Sequence, residues 1–257
     1  MNVKRRIMTF LSCSAVVVLL FGLTTVQAEN GRRYALLIGG GYAGNGGQST
    51  LPGCYQDVSD MREMLLAMDQ TLYEVSAFPG ADASLIREAI ETVFGAAKDD
   101  DVCLFFYAGH GYEPAENGLR GALTGADGEI IPLESLCGML RNVHGTKILI
   151  LDSCYSGRIV PYAAAASGKN DFRILCAAGP DDKTEEMSAD GERYGLFTRL
   201  LLAGSEPGSL TADRNGDGSV TIMEAYYDLR ARGFSPTVWT GGHDDILWGI
   251  NGGTSQH

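Results

Sequence analysis

Val102-Cys103-Leu104-Phe105-Phe106-Tyr107 runs into Ala108-Gly109-His110-Gly111, and Lys147-Ile148-Leu149-Ile150-Leu151 runs into Asp152-Ser153-Cys154-Tyr155-Ser156-Gly157. Continuous apolar runs of this kind, without alternation, mark strands buried on both faces, as in parallel sheets covered by helices. Further strands are expected over residues 34–39, 72–78 and 172–177, with a weaker one at 246–248. Amphipathic spacing predicts helices over 58–68, 84–97, 133–141, 196–203 and 223–230, with Asp82 capping the second. The interleaved patterns predict an α/β fold: a three-layer sandwich with a mostly parallel central sheet and helices on both faces. The Gly-rich run 39–53 and the stretch from Arg158 to Asp171, with four consecutive alanines, read as loops. The second is long enough to be functional or cleavable. No internal repeat is visible.

The 257 residues carry 20 basic and 32 acidic side chains, a net charge of −12, and 45% are hydrophobic. One α/β domain of this length can bury a full core. The negative balance argues against nucleic acid and anionic membrane surfaces as partners, whereas a cationic peptide would be attracted. Lys4, Arg5 and Arg6 precede an apolar run from Ile7 to Leu23 and a close at Val26-Gln27-Ala28, which is the pattern of a secretory signal. Cleavage is expected after Ala28, which leaves residues 29–257 as one domain with no membrane span and takes the charge from −12 to −15. The destination is then secreted or periplasmic. The alternative is an uncleaved anchor, since the run is just long enough to span a bilayer. Cys13 lies too early in the run for lipid attachment. Five cysteines remain after cleavage: Cys54, Cys103, Cys137, Cys154 and Cys176. An odd number leaves at least one thiol unpaired within the chain. No zinc-type spacing occurs.

In open α/β sheets ligands bind beyond the carboxyl ends of the strands. If the two quoted strands are neighbours, His110 and Cys154 meet there. A thiol must lose its proton to attack a carbonyl, and an adjacent imidazole removes it or holds the thiolate as an ion pair. The amides of Gly111 and Cys154 are candidate donors to an oxyanion. These pieces fit acyl transfer without an organic cofactor. Each residue alone has a plainer reading, a buried or disulfide-bonded cysteine and a turn histidine, and the pair is the stronger signal.

Tyr107-Ala108-Gly109-His110-Gly111 and Asp152-Ser153-Cys154-Tyr155-Ser156-Gly157 resemble the His-Gly and Asp-Ser-Cys-x-Ser-Gly motifs of metacaspases and bacterial caspase-like peptidases. The separation of 44 positions suits that family, whose histidine lies about 50 residues upstream of its cysteine. Gly53-Cys54-Tyr55-Gln56-Asp57 is similar to a further motif, Gly-Cys-x-x-Asp. The resemblance runs from about Tyr34 to Gly157 and more loosely to Trp248. It implies the caspase-like form of the α/β sandwich and a cysteine endopeptidase with His110 and Cys154 as its catalytic pair. It also implies that Asp57 and Asp152, with Cys54 beside them, line a pocket for an arginine or lysine side chain, so that the substrates are proteins or peptides with basic residues. Ala108 departs from the serine often found there, which leaves arginine and lysine undivided. From the residues alone, Asp57 could cap the helix after it and Asp152 could orient backbone amides. Arg158 and Lys169, in the long stretch after Cys154, are the expected positions of self-cleavage.

Asp213, Asn215, Asp217, Gly218, Ser219, Thr221 and Glu224 fill positions 1, 3, 5, 6, 7, 9 and 12 of an EF-hand calcium loop. Asp213, Asn215, Asp217, Ser219 and Glu224 are thus candidate calcium ligands. Glu206-Pro207-Gly208 interrupts the helix that should precede them, so a paired EF-hand is not expected. A competing reading is a catalytically silent caspase-like domain whose calcium loop and acidic surface serve binding.

Overall fold

A computed structural model describes residues 31–41, 51–68, 73–112, 120–166, 172–189, 192–206 and 208–249. The expected signal at 1–28, Leu72 and Lys169 lie outside them. In chain order the elements are β1 (Arg33–Gly40), α1 (Gly53–Met68), β2 (Glu74–Phe78), α2 (Ala83–Phe94), β3 (Val102–Gly109), β4 (Gly111–Tyr112), β5 (Ala122–Thr124) and β6 (Ile130–Pro132). There follow α3 (Leu133–Arg141), β7 (Thr146–Asp152), a 3-10 turn (Ser156–Ile159), α4 (Val160–Ala165), β8 (Phe172–Cys176), β9 (Glu186–Ala189) and β10 (Glu192–Gly195). The last elements are α5 (Leu196–Ala203), β11 (Ser219–Thr221), α6 (Ile222–Ala231), β12 (Thr237–Trp239) and β13 (Ile246–Gly249).

The central sheet has the order β12-β8-β7-β3-β1-β2. All its pairings are parallel except β12 with β8. Alternation along the strands divides the core in two. Cys103, Phe105, Tyr107, Leu149 and Leu151 face the layer of α2, α3 and α4. Leu104, Phe106, Ala108, Ile148 and Ile150 face the layer of α1, α5 and α6. Phe105 and Phe106 are fully buried on opposite faces, and each contributes about 2–3 kcal/mol by leaving water. The apolar runs therefore do mark central strands, and the sandwich is the one expected.

Asp82 caps α2 as expected, its Oδ1 accepting from the Leu85 amide at 2.7 Å. Two local expectations are corrected. The stretch from Arg158 is not an open loop, because a 3-10 turn leads into α4, whose first turn carries Pro161 and whose remainder is mostly alanine. Proline is tolerated at a helix start and alanine has the highest helix propensity, so the alanine run is a helix signal. α1 begins at Gly53 rather than at residue 58, which puts Asp57 inside the helix instead of at its cap.

Candidate active site

Strand register builds the site. β3 and β7 lie side by side with Ala108 opposite Asp152, so two residues further along each chain His110 and Cys154 emerge at the same end of the sheet. The backbones touch there: a Cβ on Gly111 would overlap the Cys154 carbonyl oxygen and stand 3.1 Å from the Cys154 nitrogen. Only glycine permits that approach. After Cys154 the chain turns sharply at Tyr155, whose φ of 57° makes it the one non-glycine residue with positive φ among those described. The left-handed conformation costs about 1–2 kcal/mol. It is held by the Tyr155 amide donating to Asp182 O at 2.8 Å and the Gly157 amide donating to Ala178 O at 3.0 Å. This tight turn leaves Cys154 partly exposed at its tip. Its thiol donates to Thr184 O at 3.5 Å. Cys54, Cys103, Cys137 and Cys176 are all free and buried, so none of the described cysteines forms a disulfide. Burial pushes the thiols of Cys103, Cys137 and Cys176 up to about 12 and that of Cys54 higher still.

Asp57 and Asp152 meet on the α1/α5 side of the sheet, and both are almost fully buried. The Gly195 amide donates to both oxygens of Asp57 at 3.0 Å. Thr198 donates to Asp152 Oδ2 from its hydroxyl at 2.7 Å and its amide at 3.1 Å. A Cβ on Gly195 would overlap Asp152 Oδ2 and stand 2.9 Å from Asp57 Oδ2. Both carboxylates thus sit at the start of α5, where its unpaired amides and dipole favour negative charge. Burial nevertheless dominates. It pushes Asp57 up to about 8, with repulsion from Asp152 adding to it and the Gly195 amide opposing. Asp152 rises to about 6, again through burial, against its bonds to Thr198. Asp152 does hold a backbone amide, the single one of Thr198 in α5. Cys54 lies one helical turn before Asp57, with its thiol donating to Leu51 O at 2.9 Å.

A third carboxylate joins them. Glu186, at the start of β9, accepts from the Gly53 amide at 3.0 Å and stands 3.8 Å from Arg193 Nη1 of β10. Its side chain is 16% exposed. Burial raises its pKa, opposed by the Gly53 amide, Arg193 and the nearby His110. Sequence reasoning missed Glu186, because a glutamate in a short polar hairpin carries no motif and no periodicity. The antiparallel pairing of Glu186 with Gly195 is what delivers it to the other two acids.

The sequence from 32 to 237 matches the caspase domain of the C14 peptidases. The chain belongs to the caspase-domain peptidase family. Membership points to a cysteine peptidase acting on proteins, in a family that also has inactive members. The caspase fold is also seen in solved structures. The protein GSU0716 from Geobacter sulfurreducens is 17% identical, with a TM-score of 0.62 over 83% of this chain and 95% of that one. Caspase-1 from Spodoptera frugiperda is 13% identical, with a TM-score of 0.54 over 78% and 75%. No curated protein sequence matches the chain.

Two expected sites lie apart from the caspase crevice or within ordered structure. Arg158 lies in the 3-10 turn, its amide bound to Tyr155 O and its guanidinium paired with Asp181. That conformation is not the extended one a protease cuts, so Arg158 is not the exposed cleavage position the sequence suggested. The loop 213–224 turns as an EF-hand loop does: Gly218 has φ 85°, and β11 pairs with β13 in place of a second hand. Its donor set suits a hard cation. The carboxylates, however, close on the chain itself. Asp213 accepts from the Gly216 and Gly218 amides, and Glu224 accepts from Arg214, Asn215 and Thr221, the last completing a capping box. Among the described residues no three acidic, histidine or cysteine side chains converge to hold a metal ion. The residues fit calcium in identity and turn, and an ion bound there would share Asp213 and Glu224 with these backbone amides.

Proposed function

We propose that this caspase domain is an exported cysteine endopeptidase that cuts after arginine or lysine, with Cys154 as nucleophile and His110 as its base. The observation that carries the reading is the β3–β7 register with the Gly111–Cys154 contact, which brings both residues to one strand end beside a buried acidic pocket. His110 takes the Cys154 proton, and the thiolate adds to the substrate carbonyl carbon. The Gly111 and Cys154 amides stabilise the resulting oxyanion. The C–N bond then breaks, and the imidazolium delivers its proton to the departing amine. Water, deprotonated by His110, hydrolyses the thioester and restores the thiol. Asp57, Asp152 and Glu186, with Cys54 beside them, receive the basic side chain, and an acidic one would meet like charge.

Calcium is a further proposed ligand of Asp213–Glu224, acting on stability rather than on the reaction. Among the described residues no helix is long and apolar enough to cross a membrane. Export rests on the residue 1–28 pattern. A thiol-reactive peptide ending in arginine should label the protein once, at Cys154, and not label Cys154→Ala. Labelling elsewhere, or none in the folded wild type, overturns the reading and leaves the silent binding domain.

A further inference from the structure

His110 follows Gly109 and precedes Gly111, two residues whose backbones have no side chain to anchor them. On its C-terminal side it is pinned by the Gly111–Cys154 contact. On its own peptide the hold comes from Tyr107. The phenol of this fully buried residue lies 3.0 Å from His110 O and 2.8 Å from Thr124 O, and it accepts the Thr124 amide at 3.2 Å. The Thr124 hydroxyl adds a longer contact to the same His110 carbonyl at 3.5 Å. Space for the phenol is cut into its own strand β3 and the adjacent β1, since a Cβ on Gly109 or on Gly40 would each stand 2.5 Å from the Tyr107 oxygen. Two glycines on adjacent strands thus make room for one hydroxyl that bridges β5 to the histidine peptide. Burial and lost solvation push the phenol's pKa up, so it stays protonated and able to donate.

We propose that Tyr107 is a positioning residue for the reaction: its hydroxyl, wedged between Gly40 and Gly109, fixes the His110 peptide and thereby aims the imidazole at Cys154. The inference rests on the reading of His110 as the base. A displaced imidazole stabilises the thiolate less and transfers the proton from a poorer geometry. A side chain that merely filled space would affect stability without touching either.

The test is the pH dependence of Cys154 alkylation by iodoacetamide, with kcat and KM for an Arg-ending peptide, in wild type, Tyr107→Phe, Thr124→Val and His110→Ala. The other described cysteines are buried, so the label reports Cys154. Tyr107→Phe should lower kcat by roughly 10- to 100-fold at unchanged KM and move the alkylation limb upward by about one pH unit. Thr124→Val should move both in the same direction by less. A folded Tyr107→Phe with the wild-type alkylation profile and kcat overturns the proposal while His110→Ala remains defective. If Tyr107→Phe does not fold, an unshifted Thr124→Val overturns it. His110→Ala with an unshifted profile would instead remove the base itself, and the positioning with it.

Discussion

Two regions meet over Cys154 and come from different kinds of structure. The strand ends that carry His110 and Cys154 belong to a parallel sheet buried on both faces. The hairpin that carries Glu186 and Gly195 is two short antiparallel strands outside that sheet, with Met187 43% exposed. The sheet places its chemistry by register, which many buried side chains enforce, because a slip of one residue would turn every core side chain around. The hairpin places Glu186 and Gly195 through a few hydrogen bonds to α1, at the Gly53 amide and the Asp57 carboxylate. The proposed nucleophile and base therefore stand on the stiff side of the crevice, and the hairpin beside the buried acids on the softer side.

The largest losses should come at the stiff side. Cys154→Ala should abolish peptide hydrolysis, and His110→Ala should come close to it, each with a loss of roughly 10,000-fold or more, because a nucleophile and its base act as a unit. Hydrolysis by folded Cys154→Ala at the wild-type rate would move the nucleophile elsewhere.

Asp57 joins the two regions, sitting in α1 and bonding the hairpin at Gly195. Asp57→Asn should cut kcat/KM for an Arg-ending peptide roughly 100-fold, the effect of losing one partner of a buried charge pair. The same residue sets a pH dependence. Asp57 and Asp152 have pKa values near 8 and 6, above the ordinary 3.8, because burial disfavours their charge. The empty protein binds these protons more tightly folded than unfolded. Its stability from them is complete below about pH 4 and is lost as the pH rises through 6 to 8. A bound guanidinium reverses the preference, so KM should fall over the same window. Thermal melts of wild type beside Asp57→Asn from pH 5 to 8 check the sign. A flatter curve for wild type than for the mutant contradicts it.

Glu186→Gln probes the soft side alone. Its side chain keeps some contact with water, so screening limits the effect to about 3- to 10-fold in KM with little change in kcat. A change confined to kcat would assign Glu186 to the histidine rather than to the pocket. Calcium should leave both sides of the crevice almost untouched. At about 100 times its Kd it should raise the melting temperature by roughly 5–10 °C, less in Glu224→Gln. Calorimetry giving equal affinity for both proteins would show that the loop 213–224 is not the site.

The sheet and the placing of His110 and Cys154 at one end of it were legible because their signal is dense. Val102–Gly109 and Thr146–Asp152 are apolar without interruption and end in chemistry-bearing residues. The small sheet of β4, β5 and β6, the edge strand β12 and the hairpin were not legible, since strands of two to four residues lack a period to read. Tyr107 was quoted as part of a motif, but its hold on His110 depends on Thr124, 17 positions away. Alanines 163–166 were read as part of a loop, although alanine favours helix and three of the four lie in α4.

Selection of a basic residue by an acidic pocket is tested most directly by turnover of a matched peptide panel ending in Arg, Lys, Asp or Asn. The wild type should cleave after Arg or Lys and at least about 100-fold more slowly after Asp, and Cys154→Ala should cleave no member. Preference for the Asp-ending peptide, or equal turnover of all four, would contradict it.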